Sequence, residues 1–448
     1  MKLRKFYKLS SLLAIVPVIF FLCFMARPVL AAEEETPKEV LTEELPPGEV
    51  EEVEDRWMFI ADFQALFTRS DVSGSASTDG ANLSGLFAPV YRFNDRTFFI
   101  LMYDGQYYER REFYSDAGDI GSRERTEFQS HSITPMVRFD FGDRTQYSLT
   151  PSVFYTATYN KDASGAGWSD GLYNYEDLGA GLDFDMRGVY DDPGTLSVGA
   201  QYYHREYDNY ASLLSLTGLD LVDNKNVEKD EKDYDGIIGK VGYTWIKPVG
   251  FSWEVEYSLL HKMLDDKKVV GSQGVLTGED QEDDLHSLDL NFDYMMDVGG
   301  GLNLGLDLNG SMYDSNQNYW DEYRPGTSAG VDAKKFTSDY YDYDSYRIRP
   351  SISYTFPLFP LTSTISFAYQ ETEYDERKAE SSDGDYKAEA HEETREETTL
   401  RLKYELTENW SLIGQFEYIE QRSNTEDERT YRYNYSANNF SVGVAFKY

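Results

Sequence analysis

The chain has 448 residues and a formal net charge of −38, with 37 tyrosines and 26 phenylalanines but one cysteine. So acidic a chain does not bind nucleic acid through its phosphates. A lone cysteine excludes a disulfide framework and cysteine-ligated metals.

Lys2, Arg4, Lys5 and Lys8 form a basic start, Leu12 to Met25 an apolar core, and Val29-Leu30-Ala31 a small-residue cleavage site. This is the pattern of a secretory signal peptide over residues 1–31. The apolar run is short for a membrane anchor. Cys23 follows Phe21-Leu22, where a lipoprotein signal wants a small residue. Cleavage after Ala31 removes five basic residues and the only thiol, leaving a charge near −43. Residues 32–55 hold eleven acidic side chains against Lys38, with Pro37, Pro46 and Pro47. They read as a disordered acidic tether.

From there, over residues 56–448, apolar and polar residues alternate with the period of β-strands. Trp57, Phe59, Ala61, Phe63, Ala65 and Phe67 share the first apolar face. A second strand over Leu83–Phe93 and a third from Phe99 to Tyr107 flank the turn Asn94-Asp95-Arg96. The same unit recurs around Gly142-Asp143-Arg144, Asp191-Asp192-Pro193-Gly194, Lys247-Pro248-Val249-Gly250, Gly299-Gly300-Gly301, Pro357–Pro360 and Thr407-Glu408-Asn409. That gives about sixteen strands, joined alternately by seven short turns and eight long charged loops. Glu371–Glu397, Asp265–Asp284, Tyr207–Asp235 and Asp314–Asp344 are the most acidic of the long stretches. Pro135, Pro151 and Pro350 fall within strands, and proline is expected near a rim or a bulge.

The last strand is Phe440-Ser441-Val442-Gly443-Val444-Ala445-Phe446-Lys447-Tyr448. It resembles the closing strand of Gram-negative outer-membrane β-barrels, with Phe440, Val442, Val444, Phe446 and Tyr448 matching the assembly signal. The resemblance implies an all-β, transmembrane, antiparallel up-and-down barrel with short periplasmic turns and long acidic extracellular loops. It also implies an outer-membrane location and both termini in the periplasm. The implied partners are membrane lipid, lipopolysaccharide and the barrel assembly machinery, with a homo-oligomer and divalent cations at the acidic loops left open. Trp57, Trp245, Trp253 and Trp410 lie close to the short turns, as an aromatic girdle requires.

The other face of the strands should line the lumen. It carries Asp183, Asp185, Glu254, Glu256, Asp289, Asp293 and Asp307, and on later strands Arg347, Arg349, Arg401 and Lys403. The expectation is an acidic wall facing a basic wall, which would set a transverse field across a pore. General porins use a similar arrangement, and the resemblance implies the same role. Pairing of these charges into a plug is the alternative. Leu213, Leu214, Leu216, Leu219 and Leu221 make one loop too apolar for water, so it either folds inward as a constriction or packs across the mouth. Asp339, Asp342 and Asp344 could offer oxygens to Ca²⁺, but their spacing is not that of an EF-hand.

No nucleophile motif, phosphate loop or His-Glu-x-x-His is present. His286 and Ser287 are neighbours in a strand and so face opposite ways. The reading is a non-enzymatic, cofactor-free, porin-like channel for small hydrophilic solutes, favouring cations. An export barrel for a polymer such as an exopolysaccharide, and a structural or adhesive barrel with cation-binding loops, are the rivals.

Overall fold

The computed structural model describes residues 56–73, 77–112, 125–142, 145–161, 167–188, 193–210, 231–247, 250–320, 336–427 and 433–448. The signal peptide, the tether and the apolar loop with its five leucines lie outside these residues. The strands are β1 (Trp57–Val72), β2 (Thr78–Asn94), β3 (Thr97–Glu112), β4 (Arg125–Phe141), β5 (Tyr147–Lys161) and β6 (Tyr175–Arg187). Next come β7 (Gly194–Glu206), β8 (Tyr234–Ile246), β9 (Phe251–Val270), β10 (Leu276–Met296) and β11 (Leu302–Ser315). A two-residue ribbon, β12 (Tyr319–Trp320) with β13 (Phe336–Thr337), precedes β14 (Tyr343–Thr355) and β15 (Leu361–Glu380). The last three are β16 (Tyr386–Glu405), β17 (Trp410–Ser423) and β18 (Tyr435–Lys447).

All but the small ribbon form one closed antiparallel barrel of sixteen strands. Each strand pairs with its neighbour in sequence, and β18 closes on β1. Closure puts Asp62 opposite Lys447 and Phe63 opposite Phe446, and the Ala61 and Tyr448 main chains exchange bonds of 3.0 and 2.8 Å. A closed sheet leaves no unpaired edge, the condition for a sheet in lipid.

The apolar parity points outward. Phe67 is 54% exposed and Val442 63%, and Phe440, Val444 and Tyr448 are likewise exposed. Trp57 packs on Tyr91 at 4.8 Å, Trp410 on Phe446 at 5.0 Å, and Trp245 stands opposite Trp253 beside a short turn. Pro135 and Pro350 sit inside β4 and β14 rather than at a rim. The ladder registers skip them on one side, between Ile133/Tyr155 and Met136/Ser152 and between Ile348/Tyr369 and Ser351/Ser366. Each proline thus lies where a strand gives up bonds to one neighbour.

Two of the expected long loops are strands. Asp265–Asp284 belongs mostly to β9 and β10, and Glu371–Glu397 to β15 and β16, with connections only at 271–275 and 381–385. A transmembrane strand needs about ten residues. These strands of 20 or 21 residues therefore carry a second half beyond the apolar belt. Gly274 and Gly384, at φ 74° and 83°, take the left-handed position that closes each turn.

The two hairpins are copies of one unit, offset by 110 residues. Val270 pairs with Leu276 as Glu380 does with Tyr386, Lys268 with Asp280 as Lys378 with Ala390, and Met263 with Glu282 as Glu373 with Glu392. Both have the same register shifts. The next strand closes each copy alike. Asn316 accepts from Glu282 N–H at 2.9 Å and donates to the Asp280 carbonyl at 3.0 Å. Asn424 accepts from Glu392 N–H at 3.0 Å and donates to the Ala390 carbonyl at 2.7 Å. The buried amide Gln281 bonds Asp283 (2.8 Å) and Gln317 (3.0 Å). Its counterpart His391, fully buried, bonds Glu393 (2.8 Å) and Thr425 (2.6 Å). In the first copy Gln281 donates to the carboxylate and accepts from Gln317.

Candidate functional site: the inner wall of the barrel

Since residues alternate across a strand, the parity opposite the outward apolar belt faces the interior. All eleven charged residues singled out from the sequence fall on it. Asp183 and Asp185 are on β6, Glu254 and Glu256 on β9, Asp289 and Asp293 on β10, and Asp307 on β11. Arg347 and Arg349 are on β14, Arg401 and Lys403 on β16. The expected opposition of two walls does not hold. β14 pairs directly with β11, so the basic strands adjoin the acidic ones around the barrel. The up-and-down order expected from the sequence already makes these two strands neighbours, so the opposed walls did not follow from it. Only β6 lies across the barrel from β16.

Adjacency changes the charge balance. Arg349 lies 2.7 Å from Asp307, its cross-strand partner. Arg347 reaches Glu397 at 3.5 Å, and Lys403 reaches Glu405 at 3.3 Å. Arg401 finds only the Gln64 side-chain oxygen, at 3.2 Å. On the acidic side, Asp183 meets Lys240 at 3.0 Å. The others are held by neutral groups: Asp185 by Ser148 (3.0 Å) and Ser197 (2.7 Å), Asp289 by Asn309 (2.6 Å), Asp293 by Asn303 (3.3 Å). Among the described residues neither Glu254 nor Glu256 has a hydrogen-bond or ion-pair partner. Three of the four cations are thus matched by carboxylates, while five of the seven carboxylates are matched by no cation.

Reading the sequence missed part of the wall. Lys240 lies on the inward parity of β8, where alternation could have shown it. Glu397 and Arg395 fall in a stretch whose charge reads as loop, yet they lie on β16 with the parity of Arg401, 3.6 Å apart beside Arg347. Arg205 holds Asp177 through two bonds of 2.6 and 2.8 Å, a bidentate pair. Its guanidinium stands 3.8 Å over the ring of Tyr175 and 5.3 Å over Tyr234. Alternation on β6 and β7 could have shown that pair, since Asp177 and Arg205 are cross-strand partners. Asp342 accepts from Ser315 N–H at 2.8 Å, and among the described residues no group of three His, Cys, Asp or Glu side chains converges as a metal site.

A closed sixteen-stranded barrel with an apolar outside and a charged inside defines a transmembrane β-barrel of the outer-membrane type. No protein-family model and no curated protein matches the sequence. Among solved structures, the chain is similar to a loop-deletion mutant of OmpT, an outer-membrane protein of Vibrio cholerae. Identity is 14% and the TM-score 0.41, over 88% of this chain and 100% of that one. OccK8 (OprE) of Pseudomonas aeruginosa is 12% identical with a TM-score of 0.43, over 87% of this chain and 98% of that one. CdiB from Acinetobacter baumannii is 12% identical with a TM-score of 0.46, over 86% of this chain and 60% of that one. The likeness is one of fold.

Proposed function

We propose that the protein is a porin-like outer-membrane channel through which small hydrophilic solutes diffuse passively, with cations favoured. Sixteen strands enclose more width than side chains alone fill. The observation that carries the reading is the unbalanced inner wall: carboxylates on β6, β9 and β10 without cationic partners, while Arg347 and Arg349 are already paired. An uncompensated negative wall raises the local concentration of cations and depletes anions. Planar-bilayer recording of the folded protein under a salt gradient tests both halves. The expected result is a steady current with a reversal potential of cationic sign. No current would sink the channel, and an anionic reversal potential would sink the charge argument alone.

The same reading makes the barrel non-catalytic, with its termini in the periplasm and its closing strand as the segment met by the assembly machinery. His286 bonds Tyr257 at 2.7 Å and no serine, which supports a structural role for it. The protruding acidic hairpins would meet lipopolysaccharide through loosely held divalent cations. Retention of activity-free behaviour in hydrolase screens checks the first point; ester or peptide turnover abolished in a His286→Ala variant would overturn it.

A further inference from the structure

The two copies of the repeated unit treat one cation differently. Asp265-Asp266-Lys267-Lys268 in the first stands where the second has Asp375-Glu376-Arg377-Lys378. Arg377 is enclosed. Its guanidinium lies 4.9 Å from the ring of Tyr374, 5.3 Å from Tyr340 and 5.9 Å from Tyr433, and it donates to the Tyr433 hydroxyl at 2.6 Å. Lys267 has none of this. Leu264 occupies the place of Tyr374, and no described side chain gives the ammonium a hydrogen bond, an ion pair or a ring face.

A second cation is added nearby. Lys262 stands where the other copy has Thr372. Its cross-strand partner is Asp283. That carboxylate is engaged elsewhere, by Gln281 at 2.8 Å and by Ser315 at 2.6 Å on β11. Lys262 is left with the ring of Tyr234 at 5.5 Å, whose other visitor is Arg205, already committed to Asp177. Both lysines feel the charge of Asp283 without touching it, and Lys267 feels Glu231 as well.

We propose that Lys262 and Lys267 form an oxyanion-binding station around Asp283 at the long-hairpin end of the barrel, taking a small solute that carries a carboxylate or a phosphate. A half-buried ammonium with no carboxylate in contact carries a desolvation cost that a bound anion offsets. Burial does hold Lys267 below the usual lysine value. An acidic mouth repels anions at long range, so an anionic solute is retained only where short-range cations meet it. The station deepens the channel reading and rests on it for the destination of the solute, but binding itself requires no current.

The test is equilibrium binding of gluconate, inorganic phosphate and neutral sorbitol to the folded full chain in detergent, by titration calorimetry. Wild type should bind at least one anion and not sorbitol. The K262Q/K267Q pair should weaken that binding about ten-fold or more, since two charge-assisted bonds are lost. K268Q/K387Q removes the same charge from lysines paired with Asp280 and Glu426, and should leave binding unchanged. If the double variant fails to fold, K262Q and K267Q are read singly, each with a smaller loss. Which anion binds separates the carboxylate from the phosphate. Anions held no better than sorbitol, or an equal loss in the control pair, would overturn the station. Binding that persists in a protein carrying no current would overturn the channel and leave the station standing.

Discussion

Glu254 and Glu256 stand two residues apart on the inward parity of β9, and no described side chain holds either. A unit charge ~8 Å away across water is worth about 0.5 kcal/mol, roughly a factor of two in local cation concentration. E254Q/E256Q should therefore move the reversal potential clearly toward zero while the folded yield stays constant. An unmoved potential would show that selectivity is set elsewhere. Asp342 makes a prediction of opposite kind. It lies outside the spanning strands, between β13 and β14. Burial, with Asp314, Asp339 and Asp375 adding, raises its carboxyl from 3.8 to about 6, against the lowering effect of the Ser315 N–H. The folded value lies above the unfolded one. Its contribution to stability is therefore complete below about pH 4 and is lost as pH rises through about 6. Amide exchange around 339–345 should quicken between those limits in the wild type and stay level in Asp342→Asn, whose carbonyl still accepts from Ser315. The inward parity of such residues could be read from the sequence because period two fixes it. Their partners could not: that Arg349 meets Asp307 depends on the register between β11 and β14, which alternation alone does not fix.

The protruding halves of β9–β10 and β15–β16 were hidden for a different reason. Alternation marks a strand only where one face meets lipid. Beyond the belt both faces are wet, so Glu371–Glu380 and Glu389–Glu397 carry charge at either parity and look like loop. The repeat offered the missing signal, because the run from Asp265 to Gly274 matches Asp375 to Gly384 at a spacing that also aligns their turns. What holds each unit is legible only in three dimensions. Asn316 and Asn424 each satisfy one main-chain donor and one carbonyl of the preceding hairpin. Replacing either by Ala should lower the local opening free energy by about 1–2 kcal/mol, the net worth of two largely exposed hydrogen bonds. Hydrogen exchange at the amides of Glu282 and Glu392 reads this directly. The two effects should match in size, since the contacts are equivalent. A large loss at one site with none at the other would mean that the units are not energetic copies.

Closure is the property the whole molecule depends on, and it was the part most open to sequence reasoning. An even number of amphipathic strands with one wet and one greasy face has to join its first strand to its last if it is to sit in lipid. The register of that seam supplies its own probe. Thr68 and Ser441 are partners across β1 and β18, with hydroxyl oxygens 2.8 Å apart on the inner face. Cys23, the only native cysteine, lies in the segment read as the signal peptide. With Cys23 replaced by Ser, T68C/S441C should form a disulfide that reports closure against no background, whereas T68C/N439C, one pair out of register, should not. Deleting Tyr448 removes the two main-chain bonds to Ala61 and the terminal aromatic together. In purified protein refolded in detergent all eleven registered pairs from Asp62/Lys447 to Val72/Ala437 remain, and the cross-link should still form. If the closing strand is the segment met by the assembly machinery, as proposed, the cross-linked fraction in cells should fall steeply. A deletion that cross-links as fully in cells as in detergent would confine Tyr448 to the seam and remove its role as an assembly signal.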